Sequence, residues 1–149
     1  MQVIGTTIYF DKDNNVIIIP TLKDEYGIGR DSMKFIKLQC GYSIKELGSF
    51  IIKSLKVSRI NEPEDYEKYH VWTEASGIKS YSTFSKKYKM VLVNYRSDQD
   101  CYYVSKYKRF SNGAFGLNEE DIAKREKTYP GRPSVDTIGE QVLQALKIE

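Results

Sequence analysis

Histidine is almost absent from this chain: His70 is the only one. Acid–base and hydrolytic catalysis need titratable groups placed together, most often with a histidine among them. Glu67 and Glu74 are near His70 in sequence, but they make no recognisable constellation with it, so His70 is read as structural or solvent-facing. Cysteine is scarce as well. Cys40 and Cys101 have no metal-ligand spacing, form no disulfide framework and lie in no nucleophile motif, so both are expected to be reduced, buried or half-buried thiols. No apolar run approaches the roughly 18 residues that suggest a membrane span. The opening MQVIGTTIYFDKD lacks a basic region and a cleavage site, and the expectation is a cytoplasmic protein with no membrane partner.

Other signatures are missing too. GIGR at Gly27–Arg30 is followed neither by further glycines nor by the Lys-Ser/Thr pair of a phosphate loop, and it is read as a flexible turn. The carboxylates from Glu62 to Glu67 lack calcium-loop spacing. No catalytic residue, metal or cofactor is therefore assigned, and the chain is expected not to be an enzyme. A dominant charge is also lacking. Lysine and arginine number 23 and the acids 20, and the net +3 is too small to argue nucleic-acid binding by itself.

What is present is tyrosine, twelve of them, a residue suited to half-buried strands and to protein interfaces. There is also a repeat. SIKELGSFIIKSLKVS (Ser43–Ser58) returns ninety-one residues later as SVDTIGEQVLQALKIE (Ser134–Glu149). In the first copy Ile44, Leu47, Phe50, Ile51 and Leu55 follow helical spacing, with Ser43 as cap and Glu46 completing a capping box. In the second, Val135, Ile138, Val142 and Leu146 form the stripe behind the cap Ser134. Gly48 and Gly139 recur at equivalent places. Glycine inside a helix costs about 1 kcal/mol against alanine, so a close approach to another backbone is expected, taken to be the sheet beneath.

Each helix follows a hairpin. Val3–Phe10, the turn DKDNN and Val16–Leu22 form the first, with a further strand expected at Lys34–Cys40. Met90–Arg96, the turn Ser97–Asp100 and Cys101–Phe110 form the second, before a polar segment of weak pattern. The expected fold class is α+β, with antiparallel sheets and two related β-hairpin-plus-helix halves in one domain, 1–149. The repeat spans 1–58 and 78–149, and 59–77 is a connection containing at most a short helical turn.

Two surfaces are candidates for function. The connection is acidic and aromatic, and a protein-binding site there would use Glu62, Glu64, Asp65, Tyr66, Glu67, Tyr69 and Trp72. The basic and aromatic second half offers Lys87, Tyr88, Lys106, Tyr107 and Arg109 to single-stranded nucleic acid, through phosphate contacts and base stacking.

The second half also carries a resemblance. Trp72 precedes G-x-K-S (Gly77–Ser80) and F-x-K-K (Phe84–Lys87). The strands MVLVNYR and CYYVSKYKR follow, and then the closing S-x-x-x-I-G-x-x-V-L-x-A-L helix. This pattern, over roughly the last eighty residues, resembles the CdiI immunity proteins of bacterial contact-dependent growth inhibition. The resemblance implies a cytoplasmic, non-catalytic protein that binds and neutralises the C-terminal toxin domain, a nuclease, of a cognate effector. It also implies a fold similar to the Whirly type, built from two sheet-plus-helix units. Nuclease inhibitors are commonly acidic, whereas this chain is slightly basic. Either Glu62–Glu67 supplies a local acidic patch or binding avoids the nuclease channel.

Overall fold

Strand β1 (Val3–Phe10) runs through a tight turn into β2 (Val16–Lys23). One Asp11 carboxylate oxygen accepts the amides of Asp13 and Asn15, each at 2.9 Å, and so holds a turn in which Asn14 takes a left-handed φ of 63°. The computed structural model describes residues 3–66 and 70–149. After β2 come β3 (Gly29–Asp31), β4 (Ile36–Leu38), α1 (Ile44–Ile60), α2 (Val71–Ser76) and α3 (Tyr81–Lys87). The second half contributes β5 (Lys89–Arg96), β6 (Cys101–Arg109), β7 (Phe115–Gly116), α4 (Glu119–Arg125), β8 (Glu126–Pro130) and α5 (Val135–Leu146).

The fold is mixed α+β. Among the described residues eight strands form one curled antiparallel sheet. Its central pair is β1 and β5, in register from Val3↔Arg96 to Phe10↔Lys89. β2 lies outside β1, and β6 lies outside β5. The short strands β3 and β4 share the outer edge of β2, while β8 and β7 share that of β6. The order reads alike from either edge, as two related hairpin-plus-helix halves should.

Alternation along the strands assigns two faces. Ile4, Ile8, Phe10, Val16, Ile18, Val91, Val93 and Val104 point to one, where they bury against Leu47 and Ile51 of α1 and Ile138 and Val142 of α5. Burying one such side chain stabilises by about 1.5–3 kcal/mol, so this layer is the main core. The capping box of α1 forms as expected: Glu46 N donates to Ser43 Oγ at 3.0 Å, and Ser43 N donates to Glu46 Oε1 at 3.1 Å. Ser134 holds the equivalent place at α5, but its hydroxyl pairs with Thr137 Oγ1 instead of capping a backbone amide. Ile44, expected in the apolar stripe, is 51% exposed. Ser54 and Ser58 are buried in its stead. Ser54 Oγ bonds Thr6 Oγ1 at 2.7 Å, and Ser58 Oγ donates to Thr21 O at 2.6 Å while accepting from Gly5 N.

The repeated glycines do meet another backbone, but it belongs to the other helix. A Cβ at Gly48 would lie 2.6 Å from Val135 O. One at Gly139 would collide with Ile44 O and stand 3.1 Å from Gly48 N. The two glycines therefore face each other where α1 crosses α5, and the sheet is not the surface they approach.

The opposite face carries a second, smaller core. Tyr9, Ile17 and Ile19 pack there against Val71 and Ala75 of α2 and Phe84 of α3. The expected connection 59–77 thus contains the end of α1 and the whole of α2, and α3 was not anticipated at all. α1 ends at Asn61, which takes φ 56° and clasps the Lys23 backbone with its side-chain amide. GIGR is a turn only in part: Gly27 has φ 78°, and Gly29 already belongs to β3. The strand expected at Lys34–Cys40 is confined to Ile36–Leu38.

Gly139→Ala gains up to about 1 kcal/mol of helix propensity but overpacks a backbone contact, which typically costs about 1–3 kcal/mol. The expected result is a lower urea midpoint at unchanged slope. An equal or higher midpoint would show that the helices have room to separate.

Candidate protein-binding surface

The acidic connection leaves α1 and runs beside the β3–β4 link. Glu62 Oε2 lies 2.8 Å from Lys34 Nζ, both on exposed side chains. The pair raises the lysine pKa and lowers that of the carboxyl. Glu64 is more deeply engaged. Its Oε2 accepts from the hydroxyl of buried Ser32 at 2.6 Å, and its Oε1 accepts from Met33 N at 2.8 Å. This carboxylate closes the loop between two edge strands and is half-buried. Asp65 is exposed and Tyr66 half-buried, while Glu67 and Tyr69 lie outside the described residues. Tyr66, His70 and Trp72 line a cavity of about 270 Å³ with Arg30 and Asp31.

Trp72 joins this stretch to an aromatic stack. Its ring centroid is 5.8 Å from His70, 5.2 Å from Tyr81 and 5.5 Å from Phe84. Phe84 stacks on Tyr88 at 4.6 Å and meets the edge of Tyr9 at 4.9 Å. Burial, with the Asp31 charge second, pushes the Tyr9 hydroxyl far above its ordinary value. Trp72 is therefore half-buried packing as much as surface. Of the five described among the seven residues expected to bind a protein, Glu62 and Asp65 are exposed, and Glu64, Tyr66 and Trp72 are half-buried.

Of the five basic and aromatic residues, four lie at or toward α3 and Lys106 does not. Lys87 is exposed at the end of α3, and Tyr88 is half-buried behind it. Tyr107 and Arg109 lie on the α3 side of β6, where Arg109 Nε donates to Ser85 Oγ at 2.9 Å. Lys106 points the other way, onto the α5 side, and is 7% exposed. Its ammonium donates to Leu146 O at 2.9 Å and to Ile148 O, at the negative end of α5. Burial lowers its pKa to about 8, helped by Lys89 and Arg125 and opposed by Glu149. Strand alternation carried this signal, because Lys106 follows Tyr102 and Val104 on the core side.

Beside the aromatic stack lies a groove that no local motif announced. Two cavities, of about 610 and 520 Å³, share Asp11, Ser76 and Tyr88. Val16, Ile17, Leu38, Ala75 and Ile78 supply apolar lining. Lys12, Lys37, Lys86 and Lys87 stand around it, all exposed. The Asp11 carboxylate is occupied within its own turn, where its second oxygen accepts Asn15 Nδ2 at 3.0 Å. Cys40, expected to be at least half-buried, is an exposed free thiol on this lining; Cys101 is half-buried.

No protein-family model and no curated protein matches the chain. Solved structures do. The chain is similar to a protein of unknown function from Neisseria meningitidis, with 15% identity over 99% of this chain and 93% of that one, at a TM-score of 0.64. It is also similar to a chain of the CdiA-CT/CdiI toxin and immunity complex from Yersinia pseudotuberculosis. That match has 12% identity over 98% of this chain and 97% of the other, at a TM-score of 0.63. At such identities the likeness is one of fold, and it spans nearly the whole length of each protein. No helix among the described residues is long and apolar enough to cross a membrane.

Two substitutions separate anchoring from surface charge. Glu64→Ala strips a buried hydroxyl of its acceptor and is expected to lower stability by about 1–3 kcal/mol in urea titration. Glu62→Ala breaks an exposed, solvent-screened pair and is expected to leave the urea midpoint essentially unchanged.

The Lys106 ammonium gives a pH signature. Its folded pKa is below the unfolded value of 10.5, so between about pH 8 and 10.5 the unfolded chain binds more protons. Stability contributed by this group therefore rises with pH across that window, and its burial penalty is fully present below it. Lys106→Met is expected to lose that rise relative to the parent chain in melts across pH 7–10.5. Parallel curves would refute it.

Proposed function

We propose that this chain is an immunity protein that binds the C-terminal toxin domain of a cognate contact-dependent growth inhibition effector. The toxin is a nuclease, and neutralisation takes place in the cytoplasm of the cell that makes both proteins. The observation that carries this reading is the full-length likeness of fold to a chain of the CdiA-CT/CdiI toxin and immunity complex. The Trp72, G-x-K-S and closing-helix pattern of the sequence supports it independently.

Such a protein works by covering a surface the toxin needs, and the reading gives it no catalytic residue. The division of Lys106 from Tyr107 and Arg109 across two faces of β6 counts against the alternative, a single-stranded nucleic-acid module built on those side chains.

The test is co-expression. The gene upstream is expected to encode a large secreted protein whose C-terminal fragment arrests growth of a bacterial host. Growth should recover when this chain is made in the same cells, and the two should co-purify. A harmless fragment, or one equally lethal in the presence of this chain, would end the proposal.

A further inference from the structure

The lysine-rimmed groove between β4, α2 and α3 has the features of a docking site, and its lining specifies the occupant. We infer that it receives an acidic segment of the protein partner, in which Asp or Glu residues are interspersed with apolar side chains. This rests on the immunity reading and locates one of its contact surfaces.

Charge is the first argument. Lys12, Lys37, Lys86 and Lys87 reach the groove from the β1–β2 turn, from β4 and from α3. Among the described residues none of their ammonium groups has an ion-pair or hydrogen-bond partner. Two carboxylates line the same space. That of Asp11 is held within its own loop by three hydrogen bonds from neutral donors; counted with Asp13, it offsets half of the four lysine charges and leaves the groove positive. A chain that is nearly neutral overall thus concentrates positive charge at one concave place. Complementary potentials of this kind set association rate and specificity more than raw affinity.

The floor is the second argument. Ile17 and Ala75 close the floor and are themselves buried, while half-buried Leu38 and Ile78 present aliphatic surface that suits apolar side chains of a peptide. They offer a nucleic acid nothing to stack upon. The one aromatic residue present, Tyr88, already has Phe84 stacked against its ring at 4.6 Å and 23°. A single-stranded nucleic acid would need free aromatic faces beside the lysines. A protein segment uses what is there: carboxylates for the rim and aliphatic side chains for the floor.

Cys40 makes the assignment measurable without mutation. It is an exposed thiol on the groove lining, and the half-buried Cys101 lies on β6 as an internal comparison. In the complex with the toxin domain encoded upstream, alkylation of Cys40 by N-ethylmaleimide should slow at least tenfold. The Lys37→Glu, Lys86→Glu, Lys87→Glu variant changes only exposed side chains and should keep its melting temperature. Its association rate with the toxin domain should fall at least tenfold, and most of the salt dependence of that rate should disappear. The corresponding triple alanine variant, which removes charge without reversing it, should fall between the two.

The outcomes are distinct. If the parent chain neither binds the toxin domain nor protects cells, the immunity reading fails and this assignment fails with it. If it protects while Cys40 reacts at its free rate, or while the charge-reversed variant binds as fast as the parent, the groove assignment alone is overturned. Salt-sensitive binding of oligothymidylate by the parent chain, lost in the charge-reversed variant, would assign the groove to nucleic acid and overturn it equally.

Discussion

The crossing of α1 over α5 at Gly48 and Gly139 is the contact on which the architecture turns. Each glycine stands where a side chain would strike a carbonyl of the other helix, so the two axes come closer than any pair of larger residues permits. That closeness lets both helices lie on one face of the sheet above its central strands. Leu47 and Ile51 can then share a layer with Ile138 and Val142. The intrinsic helix cost of two interior glycines is borne by a contact that each half needs from the other.

The related halves agree on that face and diverge on the other. The second face acquires α2, packed on the first hairpin, and α3, which reaches from Tyr9 of β1 to Arg109 of β6, with their aromatic stack from Trp72 through Phe84 to Tyr88. The groove lies where this addition meets the first hairpin and β4. Edge strands are handled differently at the two ends as well. Glu64 pins the β3–β4 link on one side, whereas Lys108, at 2.8 Å from Asp121, ties β6 to α4 on the other. The lysine-rimmed groove is thus built from features that distinguish the halves.

Much of the frame could be read from residue order. The hairpins announced themselves through alternation and through Asp-Asn turns, and β1 has the expected bounds. Both long helices followed from apolar spacing and from Ser43 and Ser134. What escaped was short or depended on distant partners. α2 and α3, at six and seven residues, are too brief for helical periodicity to declare itself. Ser54 and Ser58 are polar and carry no apolar signal, yet they are buried because Thr6, Thr21 and Gly5 lie beneath them. The recurring glycines signal a close approach, but nothing local says that the near backbone is the other helix and not the sheet. The groove lysines are scattered from Lys12 to Lys87 and become neighbours only through tertiary structure. Glu64 appeared as one member of an acidic run, and its service to Ser32 and Met33 is invisible without the fold.

The pairing of β1 with β5 has a consequence for how the chain is made. These strands form the middle of the sheet, yet their partners are separated by roughly eighty positions or more in sequence. During synthesis the first hairpin emerges with the inner edge of β1 unsatisfied, and α1 follows without the helix it is shaped to cross. Until β5 leaves the ribosome, that half presents both an open strand edge and the uncovered Gly48 side of α1, two features that invite misassociation. The nascent first half is therefore the vulnerable species in this protein's life, and a chaperone that masks strand edges would matter most during that interval.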